Sequence, residues 1–137
     1  MSRNAEPLAA LFEAAKAAQM NAYAPYSRFR VGAALRTPGG SVFSGGNVEN
    51  AAYPEGWCAE TSAISAMARA GERRIAEICV IGDGDALCTP CGGCRQRIRE
   101  FADGETLIHV AGPEGVRATF ALSDLLPESF GPGHLPV

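Results

Sequence analysis

The chain has no run of apolar residues approaching the roughly 20 needed to cross a bilayer, and this argues against a membrane span. Its first residues, Met1 to Gln19, lack a basic stretch followed by an apolar block, so they do not read as a secretory signal. Basic clusters are absent as well. The 12 Lys and Arg are scattered against 15 Asp and Glu, for a formal charge of −3. Nothing here marks the footprint of a nucleic-acid polymer, and a small, weakly charged ligand is the expected partner. Only two histidines are present. Five cysteines, an odd number without a secretory signal, argue against a disulfide framework and for a reducing, cytoplasmic setting. No repeat, low-complexity block or linker divides the 137 residues, which read as one domain, 1–137.

What is present is thiol chemistry at helix starts. Cys58-Ala59-Glu60 precedes an Ala-rich segment with Ile64, Met67 and Ala68 spaced for burial and Gly71 placed as a C-terminal cap. Pro90-Cys91-Gly92-Gly93-Cys94 opens a second predicted helix, Cys91 to Ala102. Helix N-termini favour thiolate over thiol. Cys58, Cys91 and Cys94 would give one Zn²⁺ three protein ligands and leave its fourth position open, the plan of a catalytic rather than a structural site. Glu60, two residues after a ligand, can lean over that open position and move protons. Cys79, within an apolar run, reads as core. Cys88 reads the same way, although as a fourth thiolate it would close the site. His109, mid-strand, reads as a satisfied histidine, and His134 lies in the tail.

Leu8, Leu11, Phe12, Ala15 and Ala18 define an amphipathic helix ending before Ala24-Pro25. Two antiparallel strands follow, Phe29 to Leu35 and Ser41 to Gly46, around a Thr37–Gly40 turn. Gly32, Ala33 and Ala34 leave room for close approach by a helix or a ligand. Asn47 and Glu49 alternate along an extended segment and would face one way, an arrangement suited to sugar hydroxyls. Ile75 to Gly82 reads as a central strand, Thr106 to Ala111 and Val116 to Phe120 as two more, and Leu122 to Pro127 as one helical turn. The order predicts an α/β fold, a three-layer α/β/α sandwich on a mixed five-stranded sheet.

At these residues the sequence resembles the small homotetrameric cytidine deaminases, from about Tyr23 to Leu135. The resemblance rests on Tyr26-Ser27-x-Phe29-x-Val31-Gly32-Ala33-Ala34-Leu35, Gly46-Asn47-Val48-Glu49-Asn50, Cys58-Ala59-Glu60, Pro90-Cys91-Gly92-Gly93-Cys94-Arg95-Gln96 and Leu125-Leu126-Pro127-x-x-Phe130. It implies zinc on Cys58, Cys91 and Cys94, with Glu60 as proton shuttle in hydrolytic deamination of cytidine and 2′-deoxycytidine. It further implies that Asn47 and Glu49 hold the ribose, Phe29 lies against the pyrimidine, and the Ala59 amide contacts the base. Phe130 would reach a neighbouring subunit's site, with Tyr53 at the subunit boundary of a homotetramer. One position departs from the pattern: Thr61 stands where the family commonly has Arg, which leaves open a different aminated heterocycle, such as a blasticidin-like nucleoside. A closed structural zinc module, needing Cys88 or His109, and a Cys91/Cys94 dithiol redox protein are the other classes to separate.

Overall fold

In a computed structural model, residues 5–136 are described. The elements are α1 (Ala5–Met20), β1 (Val31–Arg36), β2 (Val42–Gly46), α2 (Ala59–Arg69), β3 (Glu77–Gly82), α3 (Gly92–Phe101), β4 (Leu107–Gly112), β5 (Gly115–Ala121) and a single turn, α4 (Leu122–Leu125). Short 3-10 turns span Tyr53–Glu55 and Pro132–His134. The sheet order is β2-β1-β3-β4-β5, with only β3 and β4 parallel. β3 is central, as its apolar run requires: Ile78 to Gly82 are buried because both faces are covered.

Period-2 alternation sorts the strand side chains into two cores. On one face Leu11 and Ala15 of α1 meet Ala34, Cys79, Ile81 and Ala111. On the other, Ala59, Ala63 and Met67 of α2, Ile98 of α3 and Leu122 of α4 meet Ala33, Leu35, Ile78, Val80, Ile108 and Val110. The expected three layers are thus present. Burying Leu11, Met67, Ile78, Ile81 and Ile98 completely contributes about 1.5–3 kcal/mol each.

Glycines let the layers close. A Cβ at Gly32 would sit 2.0 Å from the Ala15 carbonyl oxygen and 2.6 Å from the Gln19 amide, so the open wall of β1 serves the close approach of α1. At Gly71 the chain turns into the left-handed region (φ +88°). There the Gly71 and Glu72 amides donate to the Ala68 and Met67 carbonyls and end α2.

Two strands start later than their apolar patterns suggest, at Val31 rather than Phe29 and at Glu77 rather than Ile75. In each case the lead-in amides are bonded off the ladder. Phe29 and Arg30 donate to the Ser27 and Asp83 side chains, and Ile75 to the Phe101 carbonyl.

Candidate metal and nucleoside site

The antiparallel pairing brings the start of β1 and the ends of β2 and β3 to one edge: Gly32 faces Gly46, and Val31 faces Gly82. The N-termini of α2 and α3 lie there too, since Cys58 and Cys91 are their N-cap residues. Both are extended, and their carbonyls accept the first helical hydrogen bonds, from Ser62 at 3.1 Å and Arg95 at 3.0 Å. Cys94 lies one turn into α3. Strand register and two helix starts therefore gather residues that are far apart in the chain.

The sulfurs of Cys58, Cys91 and Cys94 all lie within 4.8 Å of one another, and the Cys58 and Cys91 sulfurs are 3.7 Å apart. Tetrahedral coordination with Zn–S bonds of about 2.3 Å demands sulfurs about 3.8 Å apart. The three sulfurs fit one zinc ion. A hydrogen bond from Cys94 lowers the Cys58 pKa, and that same bond, together with burial, raises that of Cys94. A divalent cation bound between the sulfurs would displace their protons. The Thr61 hydroxyl sits 3.7 Å from the Cys94 sulfur.

Cys88 is outside this cluster. It lines the neighbouring cavity, and burial pushes its thiol up to about 11. His109 lies in β4 and is committed elsewhere. Its Nδ1 is 2.9 Å from the Thr119 hydroxyl and its Nε2 is 2.7 Å from Glu77, which also pairs with Arg36. A Glu77 carboxylate next to His109 would favour the imidazolium, yet the His109 pKa is lowered, first by burial and then by Arg36. The neutral ring with Nε2–H donating to Glu77 and Nδ1 accepting from Thr119 satisfies every group. Neither residue closes a four-ligand site, which removes the structural-zinc alternative.

A cavity of about 500 Å³ opens beside the sulfurs. Its wall includes Cys58, Ala59, Glu60 and Cys91 together with Asn47, Glu49 and Tyr53. Glu60 is 3% exposed, and burial raises its pKa, with Arg97 partly opposing. Ala59 is fully buried at the first position of α2, where a helix amide has no intrahelical partner. Arg95 fixes the approach to Cys91 by donating to the Pro90 and Leu125 carbonyls, both at 2.7 Å, and to the Thr89 hydroxyl.

Asn47 and Glu49 line this cavity together, but each also holds the chain that precedes β1. Asn47 Oδ1 accepts from the Val31 amide at 2.9 Å, and its Nδ2 donates to the Phe29 carbonyl at 3.0 Å. Glu49 accepts from the Tyr26 and Ser27 amides and from the Ser27 hydroxyl, and these bonds, the hydroxyl's first, lower its pKa. Two expected contacts are not in the cavity wall. Phe29, 41% exposed, is absent from the lining, and Phe130, 54% exposed, stacks on His134 with ring centroids 5.0 Å apart. Motif reading gave no cavity role to Trp57, Cys88 or Thr89, all of which line it. For Trp57 the signal was a large aromatic beside Gly56 in a polar loop.

Comparison with known proteins agrees with this geometry. Residues 5–110 match the family described as the cytidine and deoxycytidylate deaminase zinc-binding region. The chain is 39% identical over 120 residues to a cytidine deaminase of Halalkalibacterium halodurans, covering 88% of this chain and 91% of that one. It is 44% identical over 121 residues to one of Mycobacterium tuberculosis, covering 87% and 86%. The crystal structure of cytidine deaminase from Burkholderia pseudomallei superposes with a TM-score of 0.83 at 43% identity, covering 95% of this chain and 100% of that one. Three sulfurs at zinc spacing, a buried glutamate beside them and these likenesses lead to one conclusion: the chain belongs to the cytidine and deoxycytidylate deaminase family.

Proposed function

We propose that this chain is a zinc-dependent cytidine deaminase that converts cytidine and 2′-deoxycytidine to uridine and 2′-deoxyuridine with release of ammonia. The observation that carries the reading is one cavity whose wall combines Cys58 and Cys91 of the three-sulfur cluster and buried Glu60 with Asn47 and Glu49. In this reading Cys58, Cys91 and Cys94 are the ligands, and the zinc, when bound, supplies Lewis-acid activation of a water molecule. The overall change is hydrolytic: water oxygen bonds to C4, the C4–N bond breaks, and no electrons are transferred.

Glu60 takes the proton released by the attacking water and delivers it to N3 of the ring, then takes the remaining hydroxyl proton of the C4 adduct as C4=O forms and delivers it to the departing amine. Its burial supports that role, because a carboxyl whose pKa is raised holds a proton closer to neutral pH. The Ala59 amide donates to the base. Asn47 and Glu49 take the sugar. Asn47 keeps one N–H and Glu49 one acceptor position beyond the bonds described above, enough to receive a hydroxyl. Phe29 reaches the pyrimidine by a side-chain movement on substrate entry.

The same proposal makes the protein a cytoplasmic homotetramer of one-domain subunits. Large exposed aromatics in the cavity wall, Tyr26, Tyr53 and Trp57, support an interface there. Tyr53 is 74% exposed, and Phe130 lies outside its own cavity, as a residue serving a neighbour would. All five cysteines are unpaired, in keeping with a reducing compartment. Among the described residues no helix is long and apolar enough to cross a membrane.

The test is ammonia release by the zinc-loaded protein with cytidine, 2′-deoxycytidine, cytosine, cytidine monophosphate, a blasticidin-type nucleoside and an aminopurine. The two pyrimidine nucleosides should be turned over and cytosine should be poor. Preference for the antibiotic or the purine would overturn the substrate assignment. Sedimentation analysis at micromolar concentration should give four chains per particle.

A further inference from the structure

The segment before β1 is held more firmly than a loop of its composition requires. Arg28 lies in the left-handed region (φ 59°), an unfavourable conformation for a residue with a side chain, and its amide closes a turn onto the Ala24 carbonyl at 3.0 Å. On either side of this bend the Ser27 hydroxyl makes two bonds. It donates to Glu49 Oε2 and accepts from the Phe29 amide at 3.0 Å. Glu49 Oε1 takes the Tyr26 and Ser27 amides, each at 3.0 Å. One hydroxyl therefore ties the Glu49 carboxylate in the cavity wall to the backbone that carries Phe29.

We propose that Ser27 is a positioning residue for nucleoside binding, setting the direction of the Glu49 carboxylate through its hydroxyl. This inference rests on the reading of Glu49 as a sugar-binding group. The physical case is torsional. A glutamate has three side-chain torsions, and the two amides on Oε1 leave rotation about that oxygen open. A bond to Oε2 from the same turn closes this freedom, so the remaining acceptor position is fixed before substrate arrives. Without the hydroxyl, Oε2 loses its partner and the carboxylate is free to turn about Oε1. Binding of the sugar should suffer; binding of the bare base should not.

The experiment measures inhibition of cytidine turnover by uridine and by uracil in the zinc-loaded enzyme, for the parent, Ser27→Ala, Ser27→Thr and Glu49→Ala. Ser27→Ala should raise the uridine inhibition constant and the KM for cytidine about tenfold, as expected for loss of a charge-assisted hydrogen bond acting in binding. The uracil constant, kcat and zinc content should stay within about twofold. Ser27→Thr keeps the hydroxyl and should restore uridine binding. If Ser27→Ala does not fold, Ser27→Gly removes the hydroxyl without adding a group and should show the same selective loss. An unchanged or tighter uridine constant, or equal weakening of uridine and uracil, would overturn the proposal. Glu49→Ala separates the two layers. If it leaves the uridine-to-uracil ratio intact, the sugar-binding reading of Glu49 fails; if it collapses that ratio while Ser27→Ala does not, only the role of Ser27 fails.

Discussion

Replacing Glu60 by glutamine tests the chemistry most directly, because the change keeps size and removes only the titrating carboxyl. Glu60 is almost fully buried in the cavity wall, and burial holds its pKa above the ordinary carboxylate range. A carboxyl there can take up and release a proton, which a glutamine cannot do. General acid–base catalysis is worth about 10²–10⁴-fold in such sites, or about 2.7–5.4 kcal/mol of barrier at 1.36 kcal/mol per decade. The three sulfurs meet zinc spacing without Glu60, so Glu60→Gln should bind one zinc per chain like the parent. The paired assay is metal content by atomic absorption after dialysis and single-turnover deamination of cytidine. Loss of about 10²-fold or more with zinc retained is expected. Activity within about tenfold of the parent would refute the proton-shuttle role. Loss of zinc would mean that Glu60 belongs to the ligand set.

Four further outcomes follow from the same geometry. Cys88→Ser should leave zinc stoichiometry unchanged, since Cys88 stands apart from the sulfur cluster; release of metal in a chelator titration would return it to the ligand set. Thr61→Arg should keep or raise turnover, because an arginine near the Cys94 sulfur would offset the negative charge of three thiolates on Zn²⁺, and a large loss would show that the space is shaped for threonine. Gly32→Ala should destabilise by about 3 kcal/mol or more in denaturant unfolding, because its Cβ would strike the α1 backbone, where no side chain can yield; a parent-like midpoint would contradict the packing. Finally, His109 has a lowered pKa, so the folded state resists its protonation. Both states are neutral above the ordinary pKa, so stability should decline as pH falls below about 6.5, at no more than about 1.4 kcal/mol per unit from this group. His109→Gln should flatten that slope in thermal melts, and an identical slope would show that His109 does not contribute.

How much was legible beforehand depends on whether the signal was local. The α2 cap, the central position of β3 and the sulfur ligands could be read because each rests on a short pattern: Gly71 after a helical run, four consecutive apolar residues, thiols opening two helices. The starts of β1 and β3 could not. Apolar character continues into Phe29 and Ile75, while the bonds that divert their amides come from Ser27 and Phe101.

By itself the sequence determined the chemistry available: three thiols and a carboxyl at helix starts, an Asn and a Glu two apart, and no charge pattern suited to a polymer or a membrane. Only tertiary structure decided which of these meet. Cys88 lies in a run of thiols three residues apart, yet it forms cavity wall, because α3 begins after it and turns Cys91 and Cys94 towards Cys58. His109 is excluded because strand register pairs it with Thr119 and sets it beside Glu77. Gly32 admits a helix rather than a ligand because α1 crosses β1 there. Glu49 holds the turn before β1, a task that no local pattern encodes. Side-chain spacing fixes what a helix or strand can present; distance in space depends on register and packing between elements remote in the chain.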